Sequence, residues 1–128
     1  MKTIVTTADA PRAIGPYSQA VEARATRTLY LSGQIPLDPA TGELVKGTIE
    51  EETARVVENL RAVLAAAGAG FEHVVRTTIF LVDMADFPKV NEVYGQAFPK
   101  DPPARATVAV AALPRGARVE IDAVAVVD

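Results

Sequence analysis

Val74-Val75-Arg76-Thr77-Thr78-Ile79-Phe80-Leu81-Val82 is the stretch on which the fold turns. It is rich in β-branched residues, holds no glycine or proline, and is too short for a typical buried helix, so it reads as a strand. Period-two alternation puts Val75, Ile79 and Leu81 on one side and Val74, Phe80 and Val82 on the other. A strand apolar on both sides belongs inside a sheet that is covered on both faces.

Working outward, the segment before it predicts a helix. Thr48 and Glu51 have capping-box spacing, in which each side chain satisfies a free amide of the first turn. Thr53, Val56, Val57, Leu60, Val63, Leu64 and Ala67 then recur at helical spacing, and Gly68 supplies the stop. A second helix begins near Asp86, with Pro88 in its first turn and Phe87, Val90, Tyr94, Ala97 and Phe98 on its apolar face. Lys100-Asp101-Pro102-Pro103 ends it. Further strands are expected at Ile4–Thr6, Ala20–Ala23, Thr28–Ser32, Thr107–Ala111 and Arg118–Val126, the third ended by Gly33 and the last two forming a hairpin around Pro114-Arg115-Gly116. The order is three strands, helix, strand, helix, two strands. That is an α+β class, a six-stranded mixed sheet with two helices on one face, and a single domain over residues 1–128. Two helices cover only one face of the sheet. The apolar residues of Val74–Val82 and of the final strand on the other face then call for a second subunit, so a homo-oligomer is expected.

Composition removes several classes. The chain has 128 residues, is 49% hydrophobic and carries a formal charge of −3 with no basic block, which excludes disorder and argues against a nucleic-acid partner. Isolated Arg24, Arg27 and Arg61 read as solvated surface. With no cysteine there is no disulfide, thiolate metal site or thiol nucleophile, and a single histidine makes a multi-histidine metal site or a Ser-His-Asp triad untenable. The N-terminus lacks the apolar length of a signal peptide, and charges and prolines interrupt every apolar run before it could span a membrane. A cytoplasmic protein without membrane association is the expectation.

Arg105 is the leading chemical candidate, because Pro103-Ala104-Arg105-Ala106-Thr107-Val108 sets a guanidinium among small and apolar residues. Desolvating it is costly unless something anionic meets it, and planar recognition of a carboxylate suits arginine better than lysine. The alternative is a structural ion pair, with Glu120 as the candidate partner. Glu120 alternates with Val119 and Ile121 and shares its strand face with Arg118 and Asp122, so it is either the polar face of a strand or a group that holds or activates a water. Ile14-Gly15-Pro16-Tyr17-Ser18-Gln19-Ala20 is either plain turn chemistry or a loop laying the Tyr17 phenol over a pocket, with a hydroxyl and an amide beside it. At Ser32-Gly33-Gln34 backbone can approach a ligand closely. Asp38–Glu43 reads as a surface turn, His73 as a cap or strand-start residue, Asp83 and Asp86 as caps, and Asn91 as surface or packing. Gly68-Ala69-Gly70 lacks the spacing of a dinucleotide fingerprint.

Collinear segments resemble the RidA (YjgF) family over nearly the whole chain. They are Ile14–Ala20, Ser32–Pro36, Asn59-Leu60 with Ala66-Ala67-Gly68, Thr77–Met84 with Phe87, Val90-Asn91 and Tyr94, then Pro103-Ala104-Arg105 and Val119-Glu120-Ile121. The resemblance implies a chorismate-mutase-like fold assembled as a homotrimer with a cleft at each subunit interface. It also implies cofactor-independent hydrolysis of reactive 2-enamine and 2-imine acids, such as 2-aminoacrylate and 2-aminocrotonate, to 2-oxo acids and ammonia. Arg105 matches the family's carboxylate-binding arginine, and Tyr17, Ser32, Gly33 and Glu120 match other pocket positions, with Arg105, Glu120 and Tyr17 carrying the chemistry. No metal or organic cofactor is implied, and the ligand is a small carboxylate. Two departures stand out: Thr107 where many members have cysteine, and Glu52, taken as helix surface, where glutamine is common. The competing readings are a non-catalytic trimer that binds 2-oxo acids and regulates a partner, and a chaperone-like protein acting through apolar surface.

Overall fold

The computed structural model describes residues 1–128. Its elements run β1 (Lys2–Val5), β2 (Ala20–Ala23), β3 (Arg27–Gln34), α1 (Ile49–Ala66), β4 (Val74–Leu81), α2 (Phe87–Ala97), β5 (Ala104–Ala109) and β6 (Val119–Val127). Six strands and two helices occur in the expected order. β1 and β2 form an antiparallel ribbon, and the other four strands form a ladder in the order β3-β6-β4-β5, parallel between β4 and β5 and antiparallel elsewhere. The class is α+β.

Local chemistry accounts for the helix ends. The Glu51 amide donates to Thr48 Oγ1 at 3.1 Å and the Thr48 amide to the Glu51 carboxylate at 3.2 Å, a complete capping box. Gly68 takes φ +73°, the left-handed conformation that closes helices. His73 acts as a cap, its Nδ1 accepting the Gly70 amide at 3.0 Å before β4 begins. Val56, Val57, Leu60 and Leu64 of α1, Val90 and Tyr94 of α2, and Leu31, Ile79, Leu81, Ile121 and Ala123 of the sheet form one buried cluster. Each fully buried aliphatic side chain there contributes about 1.5–3 kcal/mol.

Four expectations change. β5 and β6 do not form a hairpin, because β4 lies between them, pairing Thr77 with Arg105 and Ile79 with Ile121. A β5–β6 hairpin would leave this buried strand with unpaired amides and carbonyls along one edge. The connection instead crosses the end of β4, where the Val110 amide donates to Leu81 O at 2.8 Å and the Val82 amide to Arg118 O at 3.3 Å. Second, β3 runs through Gly33 to Gln34, with a register shift between Leu31 and Gln34. Third, a register shift between Val74 and Arg76 breaks the alternation of β4, so Val74 is buried with Thr77, Ile79 and Leu81 while Val75 is only half-buried. Fourth, Glu52 is not helix surface. It is buried near the start of α1 and accepts the Arg118 guanidinium, which therefore leaves the strand face it was expected to share with Glu120.

The helices cover one face of the four-stranded sheet. The other carries Tyr30 at 81% exposure, Val82 at 42% and Val108 at 39%.

Candidate active site

Arg105 lies on β5, an edge strand, in register with Thr77 of β4. Thr77 is buried on the helix side, and its hydroxyl meets Tyr94 Oη of α2 at 2.7 Å. Neighbours in register share a face, so Arg105 also projects toward α2. There its Nη1 donates to Asn91 Oδ1 at 2.7 Å. Three aromatic rings surround the guanidinium, with Cζ 5.3 Å from the Tyr17 centroid, 5.4 Å from Phe87 and 5.1 Å from Tyr94. Phe87, Asn91 and Tyr94 stand at i, i+4 and i+7 of one helix face, which is why they meet one side chain.

The ion pair with Glu120 is not formed, and no carboxylate lies within the 4.0 Å of a salt bridge to Arg105. Burial lowers the Arg105 pKa, opposed by the Tyr94 and Tyr17 phenols, yet a guanidinium stays charged through any such shift. Burial also pushes the Tyr94 phenol up to about 12, against the lowering effects of Thr77 and Arg105, so it is neutral at working pH.

Tyr17 comes from the β1–β2 connection, which is fastened to the chain just before β5. The Ser18 amide donates to Pro103 O at 3.0 Å and its hydroxyl to Pro102 O. Pro16 lies against α2 where a Cβ on Gly95 would come within 3.4 Å of the proline ring, so a glycine allows the close approach. The Gln19 amide ties the connection together, accepting from the Thr7 amide at 2.7 Å and donating to Pro11 O at 2.7 Å. The hydroxyl and amide beside Tyr17 thus hold backbone, and the tyrosine alone of the three reaches the cleft. Ile14, Gly15 and Thr107 complete a cleft of about 320 Å³ around Arg105. Thr107 Oγ1 is buried there without a hydrogen-bond partner.

Glu120, Gly33 and Ser32 lie elsewhere. Glu120 sits between the buried Val119 and Ile121 and pairs with Phe80, three residues along β4 from Thr77 in unbroken register. An odd number of steps reverses the face, so Glu120 points to the side of the sheet away from the helices. A Cβ on Gly33 would lie 2.8 Å from the Glu120 carboxyl carbon, so any side chain there would displace that carboxylate from its present position. Ser32 is exposed beside it. β3 and β5 are opposite edges of the ladder, three strand spacings or about 14 Å apart. One chain therefore holds the candidate residues in two separate groups: Arg105 with Tyr17, and Glu120 with Gly33 and Ser32. Asn91, read from sequence as surface or packing, belongs to the first, and the i, i+4, i+7 spacing with Phe87 and Tyr94 is the signal that finds it. No group of His, Asp and Glu is placed to hold a metal ion, and His73 belongs to neither group.

Comparison with known proteins places this arrangement. The family model described as Endoribonuclease L-PSP matches residues 7–127. Protein DfrA of Myxococcus xanthus is 65% identical over 91% of this chain and 89% of its own length. The 2-iminobutanoate/2-iminopropanoate deaminase of Mus musculus is 52% identical over 98% of this chain and 92% of its own. A crystal structure of a putative endoribonuclease from Thermotoga maritima superposes with a TM-score of 0.78 at 54% identity, covering 100% of this chain and 99% of that one. A fold, a motif order and a model match that agree over almost the whole length have one reading: the chain belongs to the family that the Endoribonuclease L-PSP model describes, the RidA (YjgF) family.

Proposed function

We propose that this protein hydrolyses reactive 2-imino acids, the tautomers of 2-aminoacrylate and 2-aminocrotonate, to 2-oxo acids and ammonia. One observation carries the reading: Arg105 is a half-buried cation in an aromatic-walled cleft, with one amide oxygen as its only hydrogen-bond acceptor and no carboxylate beside it. Such a group is built to receive an anion, and charge-assisted hydrogen bonds to a carboxylate contribute about 1.5–3 kcal/mol each. The relatives named as deaminases of iminobutanoate and iminopropanoate act on small carboxylates of this kind.

The mechanism needs both groups of residues. Arg105 grips the substrate carboxylate and fixes the imine carbon in one orientation, which supplies the proximity part of catalysis. The rings of Tyr17 and Phe87 cover the substrate. Glu120 accepts a proton from a water as its oxygen attacks the imine carbon and the C=N π-electrons move to nitrogen, which takes up a proton. The nitrogen of the resulting carbinolamine takes the proton held by Glu120 and leaves as ammonia, while the hydroxyl gives its proton to solvent and the C=O bond forms, which returns Glu120 to its carboxylate. Positioned proton transfer contributes about 10²–10⁴-fold. These imines already hydrolyse in water, so neither a metal nor an organic cofactor is required.

Because Arg105 and Glu120 face opposite sides of one sheet, the cleft closes only when a second copy brings its Glu120, Gly33 and Ser32 to the far side of the substrate from the first copy's Arg105. A homotrimer with three such interfaces meets this requirement and covers the apolar outer face around Tyr30, Val82 and Val108. The formal charge of −3 and a cleft with one guanidinium do not suit a polyphosphate chain, which disfavours a nuclease.

The test is ammonia release from 2-aminoacrylate generated in place by a serine dehydratase, with semicarbazide as competing trap. Wild-type protein accelerates release and Arg105→Ala loses most of the acceleration. Equal rates for the two would sink the carboxylate clamp. Binding of 2-oxo acids without acceleration would move the reading to a regulatory binding module.

A further inference from the structure

The neutral amide of Asn91 has a role that the clamp alone does not require: we infer that Asn91 is the positioning residue of Arg105, holding one guanidinium N–H so that the remaining fork faces the cleft as an unneutralised cation. The inference rests on the carboxylate-clamp reading of the site. A guanidinium carries five N–H donors in a rigid plane and accepts nothing, so the atom of Asn91 that meets Nη1 at 2.7 Å must be its oxygen. No other protein acceptor bonds Arg105, and the three rings around it offer faces or edges without fixing rotation in the guanidinium plane. The Asn91 bond alone sets that rotation.

Its placement is firm. Asn91 stands on α2 between Phe87 and Tyr94, and Tyr94 is itself pinned by Thr77 at 2.7 Å. On the open side, the backbone of Gly15 closes over the pair, where a Cβ would lie 3.6 Å from Asn91 Nδ2 and 3.7 Å from Arg105 Nη2. The choice of an amide follows from charge. An aspartate would hold the arginine as well or better, but its carboxylate would compete with the ligand's for the same cation. An alanine would leave the fork free to turn. Asparagine supplies an acceptor without a charge.

The experiment measures binding of 2-oxobutanoate by titration calorimetry and thermal melting for wild type, Arg105→Ala, Asn91→Asp and Asn91→Ala. Wild type binds and Arg105→Ala does not. Asn91→Asp melts at or above the wild-type temperature, because it gains an internal ion pair, yet binds the oxo acid at least about tenfold more weakly. Asn91→Ala binds more weakly than wild type and does not melt higher. A packing role makes the opposite forecast, since aspartate has the shape of asparagine and would perturb least, with binding tracking stability. Wild-type affinity in Asn91→Asp, or loss of affinity only in proportion to loss of melting temperature, overturns the inference while leaving the clamp standing. Failure of wild type itself to bind, with Arg105→Ala indistinguishable from it, overturns both.

Discussion

At the scale of single residues, Arg105 is available as a cation while the Tyr94 phenol behind it is held neutral by burial. That phenol is bonded to Thr77 and pushed up to about 12. Between pH 10 and 12 the unfolded chain gives up this proton and the folded chain keeps it, so stability is full below pH 10 and falls as pH rises through that window. A shift of this size corresponds to about 2–3 kcal/mol. Denaturant titrations from pH 9 to 12 should therefore show a steeper alkaline loss in wild type than in Tyr94→Phe, whose lower starting stability reflects the Thr77 hydroxyl left without its partner. Parallel curves would contradict the assignment. Thr107 belongs to the same scale. It offers a hydroxyl with no protein partner, and with no cysteine in the chain neither thiol acid-base chemistry nor thiol oxidation is open to this cleft.

Among the elements, what was legible in the sequence is what local chemistry writes. The capping box at Thr48 and Glu51, the apolar face of α1 and the stop at Gly68 are short-range signals, and each corresponds to an observed contact or dihedral except at Val63, which was expected on that face and is exposed. Strand pairing is not written that way. The β5–β6 hairpin looked natural because a turn separates two strands, but β4 had the stronger claim to the centre of the ladder. The bulge at Val75 reversed one residue's face for a reason no alternation pattern carries. Glu52 and Arg118 are 66 residues apart, and only the fold joins them. Arg105 could be singled out from its apolar neighbours, whereas the amide that holds it sits on another element and looked like surface. The Glu52–Arg118 contact carries an element-scale prediction. The Glu52 hydrogen bond raises the Arg118 pKa, and Arg118 also donates to Gly47 O at 2.9 Å, tying the start of β6 to the entry of α1. Arg118 is 44% exposed on its side chain, which screens the pair. Arg118→Ala leaves a buried carboxylate without its partner and should cost about 1–3 kcal/mol in urea denaturation. A change below about 0.5 kcal/mol would show the contact to be incidental.

For the whole molecule, the placement of Arg105 and Glu120 on opposite faces of one sheet is the feature with the largest consequence. A single chain holds Arg105 at one edge of its ladder and the Glu120–Gly33–Ser32 group near the other, on the side where Tyr30, Val82 and Val108 are exposed. In the proposed trimer, assembly both buries that face and completes the cleft, so the proposed activity should depend on protein concentration wherever the trimer dissociates.

The measurement that tests this most directly is complementation between two inactive variants. Arg105→Ala and Glu120→Ala proteins, each assayed alone on enzymatically generated 2-aminoacrylate, should be slow. When they are co-refolded in equal amounts, every mixed trimer contains one cleft that joins an intact Arg105 to an intact Glu120, and roughly a quarter of wild-type turnover returns. Turnover no greater than the mean of the two separate variants, with mixed trimers verified by mass spectrometry, would contradict the account.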